Sequence, residues 1–133
     1  MAGAATATPF PAGQGPAPAV LDNDGSTRWT SGAAQEPGQY VQLDLGRRTA
    51  FRGVAIDSGD DLGDCARGWR LSVSDDGAHW RTAAQGTGTG TGTGTGQLTT
   101  ADLHRTTSAR YLRVTQTGTA GNWWSPAGIR LYR

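Results

Sequence analysis

Asp22, Asp24 and Thr27 crowd hard oxygen donors into one short loop. Oxygens held that close repel unless a cation or backbone N–H groups neutralise them. Calcium suits such a loop, because it accepts six to eight oxygens in flexible geometry. An Asp-capped turn satisfied by backbone donors is the alternative. Arg28 stands between Thr27 and Trp29 on the same loop, facing opposite to both, where it either reaches toward a ligand or serves as a surface or core-lid arginine.

A second constellation is aromatic. Trp123 and Trp124 are adjacent, and neighbouring side chains of an extended segment point to opposite faces, so one is expected in the core and the other at the surface. An exposed indole offers a flat apolar face to the C–H face of a pyranose. Covering on the order of 100 Å² there stabilises a complex by roughly 2.5 kcal/mol at about 25 cal/mol/Å². A millimolar affinity needs only about 4 kcal/mol, so one stacked ring and a few hydrogen bonds make a weak site that avidity on a polymer would strengthen. Asn122 flanks the pair, and Asp60, Asp61 and Asp64 lie in another loop. Carboxylates accept paired hydrogen bonds from vicinal sugar hydroxyls.

Catalysis fits these residues poorly. Glycoside hydrolysis uses two carboxyl groups, one of raised pKa, and Asp60 and Asp61 sit in an open, Gly-containing loop that gives little burial to shift either. Glu36 is the only glutamate, and no Ser-His-Asp spacing stands out. His79 and His104 are isolated, and Cys65 is the single cysteine, which excludes an internal disulfide and sites built from paired cysteines. The net charge of +1, from 12 arginines and 11 acids, provides no field to attract nucleic acid or an anionic membrane. There is no run of 18 apolar residues, and Met1 to Val20 lacks the pattern of a signal peptide, so a secreted parent would carry its signal elsewhere.

The elements that must position these groups read as strands. Tyr40, Gln42 and Asp44 alternate with Val41, Leu43 and Leu45 before Gly46 and two arginines, the pattern of a half-buried strand. Phe51 to Asp57 is a second apolar run. Trp69 to Ser74 and His79 to Ala83 form a hairpin about Asp75-Asp76-Gly77. Gln97 to Ala101, Arg110 to Gln116 and Gly128 to Tyr132 complete the set. No stretch shows capped helical periodicity, so the expected fold is an all-β sandwich of two antiparallel sheets. Trp29, Trp69 and Trp80 are expected between the sheets. Residues 1–18, with Phe10 as the sole large apolar group, read as interdomain linker, with continuation into an edge strand as the alternative, and Gly86 to Gly96 as an expanded Gly-Thr loop. Strand alternation then places the loops 22–38, 58–68, 86–96 and 118–126 at one end.

Five ordered segments resemble the discoidin family, also called the F5/8 type C domain, whose bacterial members include family 32 carbohydrate-binding modules. They are Leu21-Asp22-Asn23-Asp24-Gly25-Ser26-Thr27-Arg28-Trp29, Gly38-Gln39-Tyr40-Val41-Gln42-Leu43-Asp44-Leu45-Gly46, Ser74-Asp75-Asp76-Gly77-Ala78-His79-Trp80, Ala109-Arg110-Tyr111-Leu112-Arg113-Val114, and Gly121-Asn122-Trp123-Trp124-Ser125 leading into Ile129-Arg130-Leu131-Tyr132. The resemblance covers residues 19–133 and implies a discoidin-like jelly roll. It also implies a structural calcium held by Asp22, Asp24 and Thr27 with the carbonyls of Ala19 and Ala127. The family's glutamate in the last strand is here Gly128.

In the same light Trp123 matches the family's aromatic platform, with Trp124 as the core member of the pair. Asn122, Asp60, Asp61, Arg28 and Trp124 complete the candidate carbohydrate site. Galactose-binding members carry an Arg and an Asn in the loop that holds Asp60 and Asp61, without an obvious match here, so a glucan or a glucosamine-containing polymer is favoured. The implied role is that of a secreted, monomeric, non-catalytic module anchoring a covalently linked polysaccharide-degrading enzyme. The alternative is an adhesion domain that binds protein or lipid through exposed apolar spikes.

Overall fold

The computed structural model describes residues 6–10, 13, 29–58, 64–87 and 98–133. Its strands are β1 (Thr6–Phe10), β2 (Ala34–Gln35), β3 (Gln39–Asp57), β4 (Gly68–Ser74), β5 (Arg81–Thr87), β6 (Leu98–Gln116), β7 (Ala120–Trp123) and β8 (Gly128–Tyr132). The larger sheet runs β1-β3-β6-β4-β5, with β8 also on β3, and β2 pairs with β7 in a two-stranded sheet. All pairings are antiparallel.

The alternation at 39–45 is realised: Val41, Leu43 and Leu45 are buried while Tyr40, Gln42 and Asp44 are half-buried on the opposite face. What the sequence divides, however, the fold joins. Gly46-Arg47-Arg48 does not end the strand; β3 continues to Asp57, and the register with β6 slips between Asp44 and Thr49. A bulge of this kind bends a strand without ending it, and the left-handed backbone of Gly46 (φ 81°) accommodates the bend. β6 likewise joins two expected strands, through a second irregularity opposite Phe51 and Gly53.

Each long strand therefore serves both layers. Val41, Leu43, Leu112, Val114, Leu71 and Val73 face Phe51, Val54, Ile56, Leu103 and Ile129 in one apolar cluster. Trp29 and Trp124 close it at one end, ring centroids 5.7 Å apart and nearly perpendicular.

Thr6–Phe10, read as linker with continuation into an edge strand as the alternative, forms the edge strand β1 in register with 40–44 of β3; the expectation for Trp80 is corrected. Pro9 lacks an N–H, which an edge strand tolerates because one side of it is unpaired, and Phe10 stacks on Tyr40 at 5.5 Å. Trp80 is not between the sheets: it stands half-exposed on the outer face, with the Arg113 guanidinium 4.3 Å from its ring centre. Trp29 and Trp69 are buried as expected.

Candidate functional site

The rim beyond the Trp29–Trp124 contact is built from three segments, 29–36, 64–68 and 117–125, which polar bonds tie together. Ser31 holds Trp124 by its backbone: Ser31 N–H donates to the Trp124 carbonyl at 2.8 Å, and Trp124 N–H donates to Ser31 Oγ at 3.0 Å. Gln35 is buried and clamps the other two segments. Its Nε2 donates to the carbonyls of Cys65 (2.8 Å) and Trp123 (3.4 Å), while its Oε1 accepts from Arg67 N–H at 3.0 Å. At the third side Gly68 and Gly118 pass so closely that a Cβ on Gly118 would lie 2.7 Å from Gly68 N. That approach lets Thr117 N–H donate to the Gly68 carbonyl at 2.9 Å.

This scaffold sorts the two adjacent tryptophans. Trp124 turns inward and is 1% exposed, so its assignment to the sugar-contacting set is corrected: its indole is core. Trp123, at the end of β7, is 42% exposed. Period two on a short strand pinned by Gln35 and Ser31 is the physical reason for the split.

Asn122 is exposed beside Trp123, and its Oδ1 accepts from Arg67 Nη2 at 3.1 Å. Arg67 Nη1 also donates to the Cys65 carbonyl (2.6 Å) and contacts Cys65 Sγ (3.1 Å), which fixes the guanidinium along the loop. Arg67 escapes a sequence reading of the site; its only signal is its position directly before the Gly68-Trp69 entry into β4. Asp64 is spent on structure. The Ser125 hydroxyl donates to its carboxylate at 2.6 Å and shares a 2.8 Å bond with Thr30 Oγ1, while Ser125 N–H donates to the Asp64 carbonyl at 3.1 Å. Asp60, Asp61 and Arg28 lie outside the described residues.

Of the expected calcium shell, Asp22, Asp24, Thr27 and Ala19 lie outside the described residues. Ala127 is buried, and its N–H donates to the Asp57 carbonyl at 2.7 Å. At Gly128 a Cβ would meet Asp57 Cβ at 3.8 Å and Arg130 Nη2 at 3.9 Å, so the last strand brings a guanidinium near this position and no carboxylate side chain of its own. The described residues alone do not make a calcium site.

The F5/8 type C domain family matches residues 4–129. The chain belongs to this family. No curated protein matches it. Among solved structures, the F5/8 type C fold of this chain is similar to CpGH89CBM32-5 from Clostridium perfringens, in complex with GalNAc-β-1,3-galactose (22% identity, TM-score 0.77, covering 97% of this chain and 95% of that one). It is also similar to the family 32 module of C. perfringens NanJ in complex with galactose (20% identity, TM-score 0.77, 97% and 92%). A third similar structure is the family 32 module of AlyQ in complex with 4,5-unsaturated mannuronic acid (25% identity, TM-score 0.72, 96% and 94%). The fold is that of the carbohydrate-binding modules of this family, a binding module rather than a catalytic domain.

Proposed function

We propose that the rim around Trp123 binds a glycan and anchors a covalently linked, secreted polysaccharide-degrading enzyme to its polymer. The observation that carries this reading is the exposed Trp123 indole set beside two polar side chains, Asn122 and Arg67, that are themselves hydrogen-bonded to each other. The ring supplies an apolar surface for a sugar face. The pair supplies donors and an acceptor for hydroxyls at its edge.

A neutral hexose polymer, a glucan above all, suits the rim. The fixed guanidinium of Arg67 opposes an ammonium, so glucosamine units are disfavoured at Trp123 itself. Polar neighbours also separate this arrangement from an apolar spike built for acyl chains, which would bury its polar flank at a cost.

The test is retention on insoluble glucan and on chitosan, followed by titration of soluble oligosaccharides. Trp123→Ala is expected to weaken glucan binding roughly ten- to hundredfold with an unchanged melting temperature. Unaltered affinity in that variant, or retention on chitosan in preference to glucan, overturns the reading.

A further inference from the structure

The five-stranded face β1-β3-β6-β4-β5 turns its back on the core and carries a chain of stacked planar groups. Phe10 stacks on Tyr40 (5.5 Å between centroids, 21° between planes). The Arg113 guanidinium lies 4.4 Å from the Tyr40 ring centre and 4.3 Å from that of Trp80. Gln42 Oε1 accepts from Arg113 Nε at 3.2 Å and from its Nη2 at 2.7 Å. Arg113 is thereby held rigid against two rings and a neutral amide.

Around it opens a groove of about 400 Å³ lined by Tyr40, Trp80, Arg70, Arg81 and Arg113, with hydroxyls from Ser72, Thr82 and Thr115. None of the lining residues is acidic. The nearby Asp44 carboxylate is engaged by Arg110 at 2.9 and 3.1 Å. Arg70 is exposed and stands opposite Thr115 in the register, with Ser72 opposite Arg113. Arg70 and Arg113 are thus diagonal neighbours, about 7–8 Å apart at the backbone.

We propose that this groove is a second binding surface, separate from the Trp123 rim, that takes the carboxylates of a uronate-containing polysaccharide. Three guanidinium groups with no acidic lining residue complement an anion. The planar fork of arginine matches a carboxylate in two parallel hydrogen bonds, and the lining hydroxyls match the sugar's own. Phe10 and Arg113 both occupy Tyr40, and single-stranded DNA, the competing polyanion, is an arm of the test.

Gel electrophoresis through polygalacturonate, hydroxyethyl cellulose, dextran sulfate and single-stranded DNA tests the assignment, with the full chain, the double variant Arg70→Gln/Arg81→Gln, and Trp123→Ala. Arg70 and Arg81 are exposed, so the double variant is expected to keep its melting temperature. Polygalacturonate should retard the native chain at low salt, and about 1 M NaCl, where the screening length is about 3 Å, should abolish the effect. The double variant should bind polygalacturonate at least about fivefold more weakly, whereas Trp123→Ala should bind it as the native chain does. The proposal is overturned by any of four results: no retardation at low salt, an unaffected double variant, loss of polygalacturonate binding in Trp123→Ala, or equal retardation by dextran sulfate or DNA.

Discussion

Arg67 donates from Nη2 to the side-chain oxygen of Asn122 at 3.1 Å, a bond that joins the 64–68 loop to the tip of β7 immediately before the exposed Trp123. The two residues are 55 apart in sequence and meet because Gly68 and Gly118 allow their backbones to close up. If the rim binds glycan, Arg67→Ala and Asn122→Ala should each weaken it by roughly three- to thirtyfold, the worth of one or two hydrogen bonds. The double variant should lose less than the sum of the single losses, because each single change already frees the other partner. A titration series of the three proteins checks this, and strict additivity would mean that the pair does not act as a unit.

Gln35 does for the scaffold what the Arg67–Asn122 pair does for the surface. Its amide satisfies the carbonyls of Cys65 and Trp123 and the N–H of Arg67 from a position 1% exposed. Gln35→Ala would leave those backbone groups short of partners inside the protein and open a cavity. The expected loss is about 3 kcal/mol, measured by urea unfolding, together with weaker glycan binding as the 64–68 loop loosens. A variant as stable as the native chain would refute the clamp.

How far the sequence discloses these features depends on whether the signal is local. Alternation over 40–45 is written in neighbouring residues, and so is the inward and outward split of Trp124 and Trp123. The bulge after Asp44 is not: Gly46-Arg47-Arg48 has the composition of a turn, and only pairing with β6 keeps it in the strand. Trp80 misleads for the same reason. It precedes β5 outside any alternating run, and what holds it outward is Arg113, 33 positions away in sequence and meeting it only through the sheet. The edge strand Thr6–Phe10 has linker composition, and its place in the sheet rests on the partner it finds at Tyr40 to Asp44. The Arg67–Asn122 contact likewise has no local trace.

Acid sensitivity follows from two carboxylates. Asp76 accepts from the N–H groups of His79 and Ala78, each at 2.8 Å, then from the His79 ring and the Ser74 hydroxyl, and these bonds hold its pKa well below the usual carboxylate range. Asp44 is lowered by the Arg110 side chain first and by Gly46 N–H second. A depressed folded-state pKa contributes stability that is present above the unfolded value of about 3.9 and is lost as pH falls through the folded one. Asp76→Ala and Asp44→Ala should therefore be less stable than the native chain near pH 7, with the gap closing below about pH 4. Urea midpoints across that range give the test; a gap that stays constant would show that these charges are not what the bonds stabilise.

Calcium presents the sharpest contrast between family expectation and this chain. Asp22, Asp24 and Thr27 with the carbonyls of Ala19 and Ala127 are proposed to hold the ion, but Gly128 replaces the glutamate that the family pattern places in the last strand. A missing anionic ligand lowers affinity without abolishing it, because water can fill one of six to eight positions. Calorimetric titration of EDTA-treated protein should then give a dissociation constant in the weak range of extracellular modules, about 10⁻⁴–10⁻³ M. At Gly128 a Cβ would make only ordinary contacts, at 3.8 Å and beyond, so Gly128→Glu meets no clash at its Cβ and should tighten binding about tenfold or more. Arg130 holds the Asp57 carboxylate through Nη2 at 2.8 Å, and its buried Nε, which has no hydrogen-bond partner among the described residues and lies 4.0 Å from that Cβ, competes with the ion for the introduced glutamate. Absence of calcium uptake by both proteins would eliminate the site and leave 22–27 as a turn capped by its own aspartates.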